Sequence, residues 1–109
     1  MAHARRFGGF TTDVGNTHTY GGSLMFVIKV THKQIKDVLG TSLSTERQEK
    51  YSSVIHVKHI DTGFIFSVYM SFGEWRIGSV DTARHEDMSY NETYIKIARE
   101  LEVLLTKSV

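Results

Sequence analysis

The sequence predicts an α+β fold in which an antiparallel β-sheet carries its helices on one face. Apolar and polar residues alternate through residues 53–80, which is typical of strands in a sheet with one buried face. Apolar residues between positions 94 and 105 recur instead at helical spacing. The predicted order is therefore strand, helix, three-stranded meander and helix, with a possible N-terminal β-hairpin.

Length and composition limit the classes of protein that the chain can belong to. With 109 residues, 40% of them hydrophobic, residues 1–109 are expected to form a single folded domain. The formal net charge of +1 excludes a strongly basic nucleic-acid arm and an acidic DNA mimic. The absence of cysteine excludes a disulfide scaffold, a thiolate nucleophile and a sulfur-ligated zinc site. The longest apolar run, Leu24–Ile28, is too short to span a bilayer, so we expect a cytoplasmic protein.

Residues 1–22 form a glycine-rich segment with two open interpretations. Residues 10–14 and 17–20 can pair as a hairpin around Gly15 and Asn16, or the segment can be a flexible arm. The α+β core then covers residues 23–109.

The core begins with a strand and a short helix. In the strand, one face carries Leu24, Phe26, Ile28 and Val30, and the other carries Ser23, Met25, Val27 and Lys29. Thr31 and Gln34 predict a capping box for the helix, and Gly40 predicts its end. The apolar face of this helix consists of Ile35, Val38 and Leu39. A second short helix is predicted over residues 46–51.

Residues 53–80 predict a three-stranded meander with a definite register. A turn at Thr62-Gly63 places Val57 opposite Val68, and a turn at Gly73-Glu74 places Phe72 opposite Trp75. With these turns, every apolar pair lies on the core face, and a one-residue slip would bury a lysine or an arginine. The expected core face of the middle strand consists of Phe64, Phe66, Val68, Met70 and Phe72.

The chain ends with an amphipathic helix. Ser89 and Glu92 predict its capping box. The expected core stripe consists of Tyr94, Ile97, Ala98, Leu101, Leu104 and Leu105.

The sheet face opposite the helices, here called the open face, supplies the candidate binding residues. The predicted partner-binding residues of the sheet are His56, Lys58, Tyr69 and Arg76. An aromatic ring framed by cations is suited to stacking a base and holding its phosphates. Arg5 and Arg6, followed by Phe7 and two glycines, are typical of an arm that follows a phosphate backbone.

The same face also carries apolar side chains that suit a protein interface. These residues are Met25, Val27, Val54, Ile60 and Ile65. Exposure of Val27, Ile60 and Ile65 would also favour a homodimer. A third interpretation is purely structural, since tyrosine and histidine favour strands and cations suit a solvated face.

Residues 31–50 contain a second candidate for nucleic-acid binding. The segment 31–47 resembles the helix-turn-helix of bacterial and phage repressors in Ile35, in Leu39-Gly40 and in the serines that follow. It departs from that family's pattern at Lys36, Thr41 and Glu46, where the family has small or aliphatic residues. The resemblance implies groove-facing side chains at Ser44, Thr45, Arg47, Gln48 and Lys50.

No residue pattern points to catalysis, a metal or a cofactor. His56 and His59 are three residues apart on a strand, so their side chains point to opposite faces. His85-Glu86-Asp87 is expected to be a solvated loop, and Asp61-Thr62-Gly63 suits a hairpin turn. A phosphate-binding glycine loop and a nucleophile elbow are both missing from the sequence. We therefore expect a protein that is not an enzyme and has no metal or cofactor.

These observations favour a small non-catalytic protein that acts through macromolecular contacts. In size and plan it resembles many phage and mobile-element accessory or inhibitor proteins, so a protein target is the first expectation. The alternative is a nucleic-acid-binding module that uses the open face or a degenerate helix-turn-helix at 31–50. The weak net charge disfavours that alternative, because tight nonspecific binding needs several phosphate contacts.

Overall fold

The computed structural model describes residues 6–15, 23–40, 54–80 and 88–107. The strands are β1 (Arg6–Phe7), β2 (Phe10–Thr11), β3 (Leu24–Ile28), β4 (Ile55–His59), β5 (Ile65–Ser71) and β6 (Glu74–Ser79). The helices are α1 (His32–Leu39) and α2 (Glu92–Thr106), and a 3₁₀ turn spans Met88–Tyr90. The strands form one antiparallel sheet in the order β1-β2-β4-β5-β6-β3.

The α+β class predicted from the sequence is confirmed. Both helices pack against one sheet face, and their apolar stripes share a single buried cluster with it. The sheet contributes Phe10, Ile28, Ile55, Val57, Phe66, Val68, Trp75 and Ile77, and the helices contribute Ile35, Leu39, Tyr94, Ile97, Ala98, Leu101 and Leu105. This cluster is the hydrophobic core, and it leaves the opposite sheet face without a covering helix among the described elements.

The N-terminal hairpin lies earlier in the chain than predicted. β1 and β2 pair around Gly8 and Gly9, and β2 extends the sheet by pairing with β4. Phe10 is 1% exposed, and a Cβ added to Gly8 would lie 2.7 Å from Leu104 Cδ1. Residues 6–11 are therefore a docked edge of the sheet, and the flexible-arm interpretation is wrong for them. The predicted partner strand at 17–20 lies outside the described residues.

The meander has the predicted faces but a different register. Ile55, rather than Val57, lies opposite Val68, and Met70, rather than Phe72, lies opposite Trp75. Both ladders are shifted by two residues, because the chain turns at residues 60–63 and at Phe72-Gly73. A two-residue shift leaves every side chain on its own face, so the division between core and open face is retained.

β3 contains an irregularity that changes the face of two side chains. Leu24 pairs with Gly78, whereas Phe26 pairs with Ile77, so Met25 is an extra residue in the ladder. Leu24 is consequently exposed instead of buried, and Met25 packs against the core instead of lying on the open face. A β-bulge has this effect because it breaks strict alternation at one residue.

The start of α1 agrees with the prediction, whereas the start of α2 does not. The Thr31 hydroxyl accepts the Gln34 N–H at 3.1 Å, and the Gln34 side chain accepts the Thr31 N–H at 2.7 Å. This capping box and the end of α1 at Gly40 are confirmed. α2 begins at Glu92 with Asn91 as its N-cap, rather than after a box at Ser89. The remainder of the helix-turn-helix segment, including the predicted helix at 46–51, lies outside the described residues.

Tyr94 ties α2 to the end of the β5–β6 ladder. Its hydroxyl donates to the Ile65 carbonyl and accepts the Val80 N–H at 3.1 Å. The Tyr94 ring stacks on Phe66 with centroids 4.3 Å apart. One buried side chain therefore joins the sheet and the helix by packing and by hydrogen bonding.

Within the described part of the chain, neither helix has the length and apolar character needed to cross a membrane.

Candidate functional site

The open face has two exposed ends separated by a buried strip. The aromatic end, defined by Val27, Val54, Tyr69, Phe72 and Arg76, lies at the β5–β6 turn and beside it. The basic end, defined by Arg6, Thr11, Asp13, Lys58 and Ile60, lies where β1, β2 and β4 meet. Between them Ser67 and Gly78 are buried.

Arg76 stands at the centre of the aromatic end. The register places it between Tyr69 on β5 and Val27 on β3. Its guanidinium lies 3.3 Å from the Glu74 carboxylate and 5.8 Å from the centre of the Phe72 ring. The Arg76 side chain is only 17% exposed, and its buried Nε has no hydrogen-bond partner among the described residues. Arg76 is thus packed and partly neutralised, with one donor unused.

Phe72 is the residue of this site that the sequence interpretation missed. It was expected in the core, yet it occupies the β5–β6 turn with a φ of 52° and is 74% exposed. Gly73 has a φ of 77°, and positive φ at both central positions is typical of a type I′ turn. A residue with a Cβ is strained in this conformation by about 1–2 kcal/mol. The glycine after Phe72 was the sequence signal for a turn at Phe72-Gly73. Such a turn keeps the apolar pairs on one face, as the predicted turn at Gly73-Glu74 also does.

The Tyr69 ring has a structural partner on the sheet. A Cβ added to Gly78 would lie 3.2 Å from Tyr69 Cε1 and 2.7 Å from the Ser67 hydroxyl. The ring therefore extends over the bare backbone of Gly78, which restricts its position and shields the strand. This contact gives Tyr69 a role in the fold as well as a place in the candidate site.

The observed register does not bring the four predicted binding residues of the open face into a single cluster. Tyr69 and Arg76 are direct neighbours, whereas His56 lies opposite Ser67 and Lys58 lies opposite Ile65. Burial lowers the pKa of His56, so its imidazole is neutral near pH 7. Of the cations predicted to frame the Tyr69 ring, Arg76 is the one that lies directly opposite it in the observed register. Arg5 lies outside the described residues.

The basic end brings together Arg6, which was predicted to lie in an N-terminal arm, and Lys58, which was predicted to lie on the sheet. Arg6 pairs with Thr11, and Thr11 pairs with Lys58, so the three side chains form one row. They line a cavity of about 310 Å³ with Asp13 and Ile60. The hairpin that places Arg6 here was not predicted, which is why the sequence did not reveal this grouping.

The apolar residues predicted for the open face are only partly exposed. Val27, Val54 and Ile60 are exposed, as expected. Ile65 is 2% exposed, so the prediction that it is available to a partner or to a second copy is wrong. A cavity of about 460 Å³ is lined by Val27–Val30 and Gly73–Trp75, so it reaches the glycine that follows Phe72 in the chain. The aromatic end therefore combines a protruding ring with an adjacent hollow.

The histidines in the described ranges do not assemble a metal site. His59 Nδ1 lies 2.8 Å from the Thr62 hydroxyl, and its ring centre lies 5.0 Å from that of Phe10. These contacts give His59 a packing role at the start of the β4–β5 turn. In the described ranges no three histidine or acidic side chains are grouped for a metal ion, and His85-Glu86-Asp87 lies outside those ranges.

No family model, curated protein or solved structure matches the chain, so its candidate site stands on its own geometry.

Proposed function

We propose that the chain is a non-catalytic binding protein that docks the aromatic end of its sheet onto a protein target. The observation that carries this proposal is Phe72, a large apolar ring that is 74% exposed in a left-handed backbone conformation. An asparagine or glycine at this position would relieve the backbone strain of the turn. The Phe72 ring contributes little to the stability of the fold, because most of its surface remains exposed. Backbone strain at an exposed position is a basis for inferring function.

The chemistry of the aromatic end supports a protein target. Phenylalanine, tyrosine and arginine are enriched in the buried centres of protein interfaces. Arg76 already has Glu74 beside it, and His56 is neutral, so this end offers little net positive charge to a phosphate backbone. The cavity that reaches Gly73 can accept a protruding side chain from the partner.

An accessory or inhibitor role fits this mode of action, because covering another protein's surface needs no chemistry of its own. The alternative is a nucleic-acid-binding module, and the row of Arg6 and Lys58 is the observation that favours it. The two functions differ in salt dependence. Phosphate contacts weaken steeply with added salt, whereas an apolar interface responds mildly.

The test is capture from a lysate of the source cells, followed by affinity measurement with the purified partner. We expect Phe72→Asn to weaken binding at least tenfold, which is about 1.4 kcal/mol. Val103→Asn is the matched control, because Val103 is 62% exposed on α2, the opposite side of the molecule. Equal binding by the wild type and Phe72→Asn would refute docking through the aromatic end.

A second measurement separates the two functions directly. Fluorescence anisotropy with labelled single-stranded DNA, double-stranded DNA and RNA is recorded at low and moderate salt. No binding is expected for a protein that recognises a protein target. Salt-sensitive binding that is lost in Lys58→Gln and retained in Phe72→Asn would replace the proposal with the nucleic-acid alternative.

A further inference from the structure

The basic end of the open face forms a second site, independent of the docking surface around Phe72. Adjacent strands of a sheet lie about 4.8 Å apart, so Arg6 and Lys58 originate about 10 Å apart with Thr11 between them. Side chains as long as arginine and lysine can converge over the short threonine from that distance. One face of three neighbouring strands thus presents two cations around a hydroxyl.

Neither cation is neutralised in the described part of the chain. The ion pairs there join Arg76 to Glu74 and Arg99 to Glu102. Asp13 lines the same cavity, yet its Oδ1 accepts the Gly15 N–H at 3.0 Å instead of pairing with a cation. Arg6 and Lys58 therefore line the cavity without an ion-pair partner among the described residues.

The Thr11 hydroxyl is oriented by the same loop. Its Oγ1 accepts the Asp13 N–H at 3.1 Å, which leaves the hydroxyl hydrogen to donate toward a ligand. Donors from a guanidinium, an ammonium and a hydroxyl match the several oxygens of a tetrahedral anion better than the two oxygens of a carboxylate.

The other residues that line the cavity indicate which chemical group is attached to the tetrahedral anion. The second carboxylate oxygen of Asp13 can accept a hydrogen bond from a hydroxyl group, and Ile60 offers an apolar surface. A volume of about 310 Å³ is sufficient for a small molecule rather than for an ion alone. From these features we infer that Arg6, Thr11 and Lys58 bind the phosphate group of a small hydroxylated phosphate ester, with Asp13 accepting from its hydroxyl.

The test is a titration of the ¹⁵N-labelled full chain with ribose 5-phosphate, followed by amide chemical shifts. We expect saturable shifts at Thr11, Lys58 and Ile60. Lys58→Gln removes one charge-assisted contact and should weaken binding about tenfold. Lys96→Gln is the matched control, since it removes the same charge from an exposed position on α2 and should leave the affinity unchanged.

The other arms of the titration identify the source of the phosphate. Inorganic phosphate should bind more weakly than ribose 5-phosphate, because it cannot use Asp13 and Ile60 together. Equal affinity for the two would overturn the assignment of an ester. Shifts with a short oligouridylate but none with ribose 5-phosphate would overturn the small-molecule site, and so would equal weakening by Lys58→Gln and Lys96→Gln.

Thermal unfolding of each variant shows whether the fold is intact, and Arg6→Gln supplies a second variant at the site. Phe72→Asn should bind ribose 5-phosphate as the wild type does. Failure of the phosphate site and failure of the proposed docking function are therefore distinguishable.

Discussion

Removal of the Tyr94 hydroxyl tests how the fold joins its helix layer to its sheet. In Tyr94→Phe the ring stacks on Phe66 as before, but the Ile65 carbonyl and the Val80 N–H lose their shared partner. Both residues are buried, at 2% and 3% exposure. An unsatisfied buried backbone group costs about 1–3 kcal/mol.

The net cost should be less than the sum for two groups, because the freed atoms lie at the end of one ladder. Pairing of Phe66 with Ser79 continues toward Ile65 and Val80, so these strands can partly close on each other. We therefore expect Tyr94→Phe to lower the free energy of unfolding by about 2 kcal/mol and the Tm by about 10 °C.

The assay is urea and thermal unfolding followed by circular dichroism, with Tyr90→Phe as the matched control. Tyr90 is 83% exposed, so the same chemical change there should alter stability by less than about 0.5 kcal/mol. If Tyr94→Phe is as stable as Tyr90→Phe, the bridging hydroxyl does not hold the ladder, and the reasoning is refuted.

Three further predictions concern Gly78, His56 and Phe72. Gly78→Ala places a Cβ 2.7 Å from a serine hydroxyl and 3.2 Å from the Tyr69 ring, so urea unfolding should show a loss of about 1–3 kcal/mol; an unchanged midpoint would contradict this close approach. Because burial lowers the pKa of His56, the unfolded chain binds that proton more readily. Stability should therefore fall as the pH drops from about 7.5 to 5.5, and His56→Gln should reduce this pH dependence unless the imidazole is fully solvated. Phe72→Asn should change stability by less than about 1 kcal/mol, because relief of strain offsets the small buried area of the ring. Phe66→Ala should instead cost about 3–5 kcal/mol, and similar losses in these two variants would show that Phe72 belongs to the core.

Local patterns in the sequence predicted the elements and their faces well. The Thr31–Gln34 capping box and the apolar stripe of α2 depend on residues within a few positions of one another, so they are visible in the sequence. The alternation in β5 likewise separates the core residue Val68 from Tyr69 on the open face. The pairing of Tyr69 with Arg76 on one face was predictable for the same reason, although their exact opposition was not.

Contacts between distant segments were beyond these patterns. The docking of β2 against β4 joins Phe10 to His59, and nothing local in either segment specifies the other. The row that brings Arg6 beside Lys58 depends on that pairing, so the basic end became visible only in the folded chain. The bulge at Met25 likewise depends on how β3 meets β6.

The sequence by itself determined the α+β class, the helix that begins after Thr31 and the face on which each residue of β4, β5 and β6 lies. These features follow from periodicity, which is a property of neighbouring residues. Only the tertiary structure decided the register of the meander, since a shift by two residues preserves every face and leaves the hydrophobic pattern satisfied. That shift moved Phe72 from the expected core into an exposed turn, and the candidate docking site exists because of it.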